Sequence, residues 1–436
     1  MNAGLPNSSQ VIAPDIEIGQ HVPFYGALNY FKSGQREYLR SGFLRAFSAA
    51  YAGYVARVPA GAYVDIPSTR TGAIQTAEAA NLNAHLFYDG TRYVSVTLVS
   101  NGAPGAVLTT DLSNWSAMSG SSSLDSGSMG AAQAGANGTI ALVGIGTATG
   151  GIYKTSASSS WSQSSGLPGG AYFSGIAFNP AGTLGLAVMQ NALLASAGSI
   201  RTTANGGGSY TSVTPSGGSS VQIAGVHYSP AAGGFLVFNM GNQFLNINKT
   251  TDGTNFTNVL IDTAVRTGVS WELCPQKYIA SSPTVTLVSC ANGKLKRTTD
   301  GTTWTTVDLT QQNGCFLLST SSAAYQIFYN AVEGRFYANC YGVYNAVSAF
   351  PFLVSTDGIN WVPSFSFRDT ASLGNVLKVE GVNGKSFACT VLAASLYDWK
   401  DISTAQLRGT PDWVGSLSMI FGYSAGASPY SHVRIA

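Results

Sequence analysis

A six-residue phrase recurs along this chain and constrains its fold more than any other feature. It reads Thr-Asp-Gly, two variable residues and an aromatic, in copies that begin at Thr251, Thr299 and Thr356, and a looser copy begins at Thr110. The aromatic ends of these copies, of two degenerate copies and of a candidate last copy are Trp115, Trp161, Tyr210, Phe256, Trp304, Trp361 and Trp399. Their separations are 46, 49, 46, 48, 57 and 38 residues. A period of this length with one aromatic in each unit predicts a β-propeller with one blade for each repeat.

The residue types of the phrase predict a tight turn. An Asp side chain accepts hydrogen bonds from nearby backbone N–H groups, and Gly adopts a positive φ without steric cost. The aromatic four residues after the Asp starts the next strand and fills the space between neighbouring blades. We therefore expect a structural role for the turn residues Asp111, Asp252, Gly253, Asp300, Gly301, Asp357 and Gly358.

The phrase resembles the Asp-box repeat of the bacterial neuraminidase family, whose pattern is Ser/Thr-x-Asp-x-Gly-x-Thr-Trp. In this chain Gly follows Asp directly, so that the turn is one residue shorter. The resemblance covers residues 83 to 405. It implies that the turns are structural and join the third and fourth strands at the periphery of each blade. The expected fold is all-β, a propeller of about seven four-stranded antiparallel blades behind a non-repeat N-terminal segment.

The chain divides into an N-terminal segment, residues 1–75, and a propeller, residues 76–436. Residues 24–58 are rich in aromatic side chains and Arg, which favours packing against another protein. The alternative is that this segment covers the ring. Because a ring has to close, one terminus is expected to complete a blade begun by the other. The candidates for this closing segment are residues 414–436 and residues 54–66.

The charge content of the chain is low. Charged residues make up 10 % of the sequence, whereas soluble proteins average roughly 25 %. With a net charge of +2, nothing indicates binding to nucleic acid or to an anionic membrane. A surface that forms hydrogen bonds largely without charge is typical of extracellular glycan binders and of virion proteins.

The cysteines and the first residues indicate where such a protein is made. Five Cys residues without a Cys-x-x-Cys pair argue against a disulfide framework and for synthesis in a reducing cytoplasm. Residues 1–20 lack the basic and apolar regions of a signal peptide, and no uncharged apolar run reaches 18 residues. A bacteriophage virion protein fits this combination, because it is made in the host cytoplasm, released by lysis and active outside the cell.

Loops at the end of the ring opposite the Asp turns vary most, and we predict that they bind the ligand. Amides, short acids, Arg and aromatic faces offer the planar hydrogen bonds and stacking surfaces that a sugar needs. The candidate ligand-binding residues are Asn191, Asp262, Arg266, Trp271, Gln311, Gln312, Tyr344, Asn345, Arg368 and Asp369. The alternative is that these loops are polar only because they are solvated.

A sialidase-like enzyme would need three Arg residues, a Tyr–Glu pair and an acidic Asp, as the resemblance implies. The chain has only six Glu residues; Glu333 falls in a turn at the wrong end, and only Glu272, beside Trp271, is a candidate. We therefore assign no catalytic residue. The four His residues have no ligand spacing, and no calcium-loop or dinucleotide motif occurs, so no metal or cofactor is expected.

These features predict a phage tail fibre or another receptor-binding virion protein that attaches to a host-surface saccharide. Residues 1–75 would join it to other tail proteins, and the particle would carry it as a homo-oligomer. One alternative is a glycan-active enzyme of the sialidase-like propeller type. The other is a purely structural tail or capsid assembly protein.

Overall fold

The computed structural model of the 436-residue chain describes part of the sequence, and every regular element in that part is a β-strand. The described residues are 22–23, 54–55, 63–66, 71–72, 75–76, 85–96, 106–118, 128–133, 140–144, 151–155, 160–168, 173–189, 192–239, 245–262, 278–290, 293–309, 326–339, 352–363, 367–369, 376–392, 396–401 and 407–408.

The first nine strands include a five-stranded sheet. They are β1 (Val22–Pro23), β2 (Tyr54–Val55), β3 (Tyr63–Ile66), β4 (Thr71–Gly72), β5 (Gln75–Thr76), β6 (His85–Tyr88), β7 (Tyr93–Val96), β8 (Ala106–Thr109) and β9 (Asn114–Ala117). Strands β1 and β2 pair antiparallel with each other. Strands β6 to β9 form an antiparallel meander, and β4 adds to β9 in parallel; we call this sheet A.

Five sheets of four consecutive antiparallel strands follow, which we call blades B to F. Blade B consists of β10 (Ser128–Gln133), β11 (Ile140–Gly144), β12 (Gly151–Thr155) and β13 (Ser162–Gln163). Blade C consists of β14 (Phe173–Phe178), β15 (Gly185–Met189), β16 (Ile200–Thr203) and β17 (Thr211–Val213). Blade D consists of β18 (Ile223–Ser229), β19 (Gly234–Asn239), β20 (Leu245–Thr250) and β21 (Thr257–Asp262). Blade E consists of β22 (Ile279–Ser281), β23 (Thr286–Ser289), β24 (Lys294–Thr298) and β25 (Thr305–Asp308). Blade F consists of β26 (Gln326–Asn330), β27 (Arg335–Asn339), β28 (Phe352–Ser355) and β29 (Val362–Pro363).

The last five strands form two sheets with strands from the N-terminal segment. They are β30 (Phe367–Asp369), β31 (Val376–Val382), β32 (Lys385–Leu392), β33 (Leu396–Asp401) and β34 (Leu407–Arg408). Strands β31 to β33 form an antiparallel meander, and β5 pairs antiparallel with β33; we call this sheet G. In a three-stranded sheet, β3 lies between β30 and β34.

This topology is that of a β-propeller with four-stranded antiparallel blades. In the described part of the chain, consecutive strands form five such blades, rather than the seven expected from the repeats. Strands β3, β4 and β5 come from residues 63–76, which the sequence assigned almost entirely to the segment in front of the ring. Of the two candidate closing segments, 54–66 contributes β3, and 414–436 lies outside the described residues.

Burial decreases from the first to the fourth strand of a blade. All six residues of β14 are buried, whereas two of the three residues of β17 are exposed. First strands read as nearly continuous apolar runs because neighbouring sheets cover both of their faces. Apolar clusters fill the seams between neighbouring blades, with Phe173 between blades B and C, Phe235 between C and D, and Phe336 between E and F.

The aromatic that ends each phrase lies in the seam with the preceding sheet. Phe256 directly precedes β21 and packs in one cluster with Leu186 of blade C. Trp361 directly precedes β29 and packs with Leu287 of blade E. Trp399 differs, because it lies inside β33, the third strand of sheet G. The candidate last copy of the phrase is therefore not a turn between third and fourth strands.

The chain that leaves a fourth strand is held by the turn of the next blade. Ser165, after blade B, forms a parallel bridge with Ser209 of blade C, and Ser216, after blade C, forms one with Asn255 of blade D. The backbone N of Phe256 donates to the carbonyl oxygen of Ser216 at 2.9 Å. We call these linking segments straps. They add backbone hydrogen bonds to seams that are otherwise joined by side-chain packing.

Candidate functional site

The turns that contain the recurring phrase lie at one end of the ring, and we call them box turns. The hydrogen bonds of Asp252 are typical of them. Its Oδ1 accepts hydrogen bonds from the backbone N of Thr254 and of Asn255, both at 2.8 Å. Its Oδ2 accepts one from Nδ2 of Asn255 at 2.6 Å. Both carboxylate oxygens are engaged within the turn itself, so this side chain holds its own turn.

A hydroxyl two residues before the Asp completes each box turn. Thr250 Oγ1 donates to Asp252 Oδ1 at 3.1 Å and accepts from the backbone N of Gly253 at 2.9 Å. Equivalent hydroxyls, each bonded to its Asp and to the N of the residue after that Asp, belong to Thr109, Thr298 and Ser355. The phrase as read from the sequence begins one residue after this hydroxyl, so the sequence analysis missed it.

Blade C carries a longer box turn with an amide in place of the carboxylate. Thr203 Oγ1 donates to Asn205 Oδ1 at 2.8 Å and accepts from the N of Gly207 at 3.1 Å. The N of Ser209 donates to Asn205 Oδ1 at 3.0 Å. Thr203, Asn205, Gly207 and Ser209, followed by Tyr210, have the full spacing of the Asp-box pattern. A copy that looked degenerate in the sequence therefore forms a turn of the same kind, in which a neutral amide oxygen accepts the hydrogen bonds.

The turn hydrogen bonds keep the box carboxyl groups ionised. The pKa of Asp252 lies well below its usual range, and the largest cause is the hydrogen bond from the backbone N–H of Asn255. The pKa values of Asp111 and Asp300 are lowered in the same way, first of all by the N–H three residues further on. At Asp357, burial raises the pKa, but the turn N–H groups outweigh it and bring the pKa to about 2.

Three of the predicted ligand-binding residues belong to strands, and the others lie outside the described part. Asp262 is the last residue of β21 in blade D. Arg368 and Asp369 lie in β30, paired in register with Asp65 and Ile66 of β3, and not in a loop as the sequence predicted. The remaining candidates lie outside the described residues: Asn191, Arg266, Trp271, Gln311, Gln312, Tyr344 and Asn345.

One face of the outer half of blade D carries amides that the sequence analysis did not single out. In the β20–β21 pair, Asn248 lies directly opposite Asn258, and Asn246 lies opposite Leu260. Directly opposed residues of an antiparallel pair share a face of the sheet, so these four form one surface. Together with Ser219, from the strap before blade D, we call them the amide patch.

Hydrogen bonds fix the patch in place. Asn258 Nδ2 lies within hydrogen-bond distance of Asn246 Oδ1 (2.9 Å), Ser219 Oγ (3.1 Å) and Asn248 Oδ1 (3.3 Å). Asn248 is fully buried, whereas Asn258 is exposed and Leu260 is 54 % exposed. Asn258 Oδ1 has no partner among the described residues. The patch therefore offers solvent a positioned neutral amide beside an apolar side chain.

The patch belongs to blade D and is not a property of every blade. In blade E, Lys296 lies opposite Thr306, at the positions that Asn248 and Asn258 hold relative to the box hydroxyl. Lys294 forms an ion pair with Asp308 on the same face, and Lys296 Nζ donates to Thr306 Oγ1. The signal in the sequence was the pair of Asn residues at alternate positions of one strand, which places both on one face.

Blade F brings a Tyr hydroxyl to a carboxylate, the pairing that a sialidase-like nucleophile needs. Tyr337 OH donates to Glu333 Oε2, and Asn330 Nδ2 donates to Glu333 Oε1 at 3.0 Å. Burial first, and the charge of Glu333 second, raise the pKa of Tyr337, so the phenol stays protonated. Glu333 lies in the hairpin between β26 and β27, and its hydrogen bonds to Asn330 and Tyr337 support that turn.

The described residues hold no group of three or more His, Cys, Asp or Glu side chains that could bind a metal ion. The same part of the chain contains no helix long and apolar enough to cross a membrane.

Comparisons with known proteins found structural neighbours only. No protein-family model and no curated protein matches the chain. An ancestral GH74 enzyme has a TM-score of 0.48 and 14 % identity over 76 % of this chain and 46 % of its own. The GH74 enzyme of Niastella koreensis has a TM-score of 0.47 and 17 % identity over 75 % of this chain and 43 % of its own.

YCF48 from Cyanidioschyzon merolae has a TM-score of 0.45 and 14 % identity, over 75 % of this chain and 98 % of its own. The chain spans less than half the length of the two GH74 enzymes. Similarities at this level carry no argument about activity or ligand.

Proposed function

We propose that the chain is a receptor-binding component of a bacteriophage tail and that it binds a host-surface saccharide through the amide patch. The observation that carries the proposal is the exposed Asn258, beside the exposed Leu260, on the outermost strand of blade D. Strand β21 continues from these residues to Asp262, one of the ligand-binding residues predicted from the sequence.

The chemistry of the patch suits a sugar. The Asn258 amide nitrogen donates within the patch, so its Oδ1 is the atom left to accept a hydrogen bond from a sugar hydroxyl. An apolar side chain next to it can cover the C–H face of a pyranose ring. Because Asn246 and Ser219 hold Asn258 in place, binding would cost little ordering of that side chain. The neutral character of the patch favours an uncharged saccharide.

The assignment to a phage particle rests on the composition and the thiols. The chain has a net charge of +2 with 10 % charged residues, and its described cysteines, Cys290 and Cys389, are buried. Both fit synthesis in a reducing cytoplasm and work outside it. We expect each site to bind weakly and several copies on one particle to give firm attachment.

We further infer that sheets A and G are blades and that the ring has seven. Trp399 Nε1 of sheet G donates to Ser95 Oγ of sheet A at 2.9 Å, and the rings of Tyr93 and Phe387 lie 5.3 Å apart, edge to face. Strand β4 pairs in parallel with β9 at the box turn of sheet A, which is where a strap lies in blades C and D. These contacts support closure of the ring by the segment that contains β4 and β5.

In this proposal, the residues before β3 attach the protein to other tail proteins and assemble it as a homo-oligomer. The alternative for them, a cover over the ring, would leave assembly unchanged when they are removed.

A glycan array with the purified chain tests the proposed ligand. The variant Asn246→Ala/Asn258→Ala should lose binding to the saccharides that the wild type retains, at an unchanged unfolding midpoint. Ser212→Ala is the matched control, because Ser212 holds the position of Asn258 in blade C. Binding that survives the double substitution would overturn the site. If the wild type binds no saccharide but incorporates into particles, the protein is a scaffold; if it cleaves one, it is an enzyme.

A further inference from the structure

Three hydroxyls and an imidazole link blade D to blade E in one row. His227 Nε2 lies 2.8 Å from Ser281 Oγ, which lies 2.7 Å from Thr286 Oγ1. Thr286 Oγ1 lies 2.6 Å from Ser229 Oγ, which accepts a hydrogen bond from the backbone N of Ala232 at 2.9 Å. We call this arrangement the seam row. The row starts at His227 of blade D and crosses to two hydroxyls of blade E. It then returns to blade D at Ser229, which is bonded to the backbone N of Ala232.

The number of protons determines the donor-to-acceptor direction of the hydrogen bonds in the seam row. Its four hydrogen bonds need four protons, and the N–H of Ala232 and the three hydroxyls supply them. All four then point from Ala232 towards His227, whose Nε2 accepts the last one. A proton on Nε2 would be a fifth for four bonds, and one hydroxyl would lose its acceptor. Every proton of the row therefore has an acceptor within it only when His227 is neutral, with its proton on Nδ1.

The surroundings of His227 also favour the neutral ring. The strands packed against β18 include β14, β15, β19, β22 and, through Thr286, β23, and none of these five carries a charged side chain. The titratable groups elsewhere on this seam are Tyr278, Cys290, Lys249 and Asp300, and none is a hydrogen-bond partner of His227. Burial lowers the pKa of His227 to about 4, although part of the residue remains exposed to solvent.

We propose that the seam row is an acid-sensitive lock between blades D and E, closed while His227 is neutral and opened when it is protonated. Protonation turns Nε2 into a donor to Ser281 and leaves one hydroxyl proton of the row without an acceptor, so the seam between the two blades loses stability. Blade D also carries the amide patch, so opening the seam would move the surface to which we assign ligand binding. The lock itself does not depend on that assignment.

The pH range of the lock follows from linkage. An unfolded His has a pKa of about 6.5, and burial holds that of His227 at about 4 in the folded chain. Between these values the unfolded chain binds more protons, so the stabilisation is complete above about pH 6.5 and is lost as the pH falls to about 4. The unfolding equilibrium constant should rise on the order of a hundredfold over this range.

The variant His227→Gln tests the lock by denaturant unfolding at a series of pH values. The Gln Oε1 atom can accept the hydrogen bond from Ser281, and the amide does not titrate in this range. We expect the variant to lose most of the pH dependence between pH 6.5 and 4 while it stays folded. A pH dependence equal to that of the wild type would overturn the proposal.

A second measurement, NMR of the His227 ring, does not depend on that variant. In the wild type, the 15N shift of Nε2 should be that of an unprotonated nitrogen. In Ser281→Ala, the pKa of His227 should rise, because the bond removed is one that stabilises the neutral ring. A fall in the pKa would mean that His227 donates to Ser281, and an unchanged pKa would mean that the bond does not favour the neutral ring. Either result would overturn the direction of the row.

Discussion

Gly301 in the box turn of blade E lies against Ala232 in the first hairpin of blade D, so closely that an added Cβ would come 2.6 Å from the Cβ of Ala232. Gly301 also has a φ of 74°, which side chains of L-residues rarely adopt. Gly358 repeats both features against Leu287 of blade E. Each of these box turns thus packs against the preceding blade. Its glycine is needed both for the backbone angle of the turn and for close packing at the seam.

Substituting this glycine should therefore cost more than its backbone angle alone explains. Gly334 has a φ of 65° with open space around it, so Gly334→Ala should cost about 1–2 kcal/mol of backbone strain. Gly301→Ala should cost this amount and a further 1–3 kcal/mol, roughly, for overpacking against Ala232. Urea unfolding of the two variants measures the difference, and equal losses would contradict a packing role for Gly301.

The Asp of a box turn should act as an acceptor and not as a ligand. Asp300 Oδ1 accepts from the N of Thr302 and of Thr303, both at 2.7 Å. Asp300→Ala should lower stability by about 1 kcal/mol, as the loss of a cap does. Asp300→Asn should retain most of it, because Asn205 fills this role in blade C. Saccharide binding by both folded variants should equal that of the wild type; its loss at unchanged stability would assign Asp300 to the ligand.

The buried hydroxyl of the box turn is expected to matter more than the Asp. Thr298 Oγ1 accepts from the buried N of Gly301 at 2.8 Å, so Thr298→Val leaves that N–H without an acceptor. The expected cost is about 1–3 kcal/mol. Thr298→Ser keeps the hydroxyl, as Ser355 does in blade F, and should be milder. Calorimetric unfolding compares the two, and equal midpoints would show that the turn does not need the hydroxyl.

The box carboxylates should produce an acid transition separate from that of His227. The pKa of Asp357 is about 2 in the folded chain and 3.8 as an ordinary Asp. A lowered folded pKa gives stability that is present above the unfolded value and lost as the pH falls from about 3.8 to about 2. In the His227→Gln background this lower loss should remain, and Asp357→Asn should reduce it. Stability curves against pH for both variants check the separation.

Truncation should locate the true start of the ring. Removal of residues 1–58 leaves β3, β4 and β5 in place, and the unfolding midpoint should not change. Removal of residues 1–76 exposes the hydrogen-bonding edges of β9 and β33 that β4 and β5 cover, at a cost of about 1 kcal/mol for each lost bond. Equal midpoints for the two truncations would contradict closure of the ring by this segment. Incorporation of the shorter truncation into particles would contradict a role in assembly.

The repeat predicted the architecture well because its residues act locally. The hydrogen bonds of the Asp252 side chain and the positive φ of Gly253 act within a stretch of six residues, so sequence spacing alone identifies the turn. Tyr210 marked a weak copy because the Asp is Asn205 and an extra residue is present, although the hydroxyl and the side-chain oxygen accept backbone N–H groups as they do in the other box turns. The number of four-stranded blades formed by consecutive strands was wrong, because β4 adds a fifth strand to sheet A and sheet G takes its fourth strand, β5, from the N-terminal part of the chain.

The candidate site was harder to predict, because it depends on which strands are neighbours. Asn246 and Asn258 meet only through the register of β20 and β21. Arg368 was predicted to lie in a variable loop, but β30 pairs with β3, about 300 residues earlier in the sequence. Long-range pairing of this kind leaves no local pattern, whereas two Asn residues at alternate positions could have indicated the patch.

The straps determine how a ring of this kind can grow by gene duplication. A copied stretch that ended with the fourth strand of blade C, at Val213, would bring a complete sheet but not Ser216, and the next box turn would lack its backbone partner. A copy that ran on to Gln222 would bring the partner with it. The duplicated unit is therefore a sheet together with the strap that follows it, and the end of this unit does not coincide with the end of the sheet.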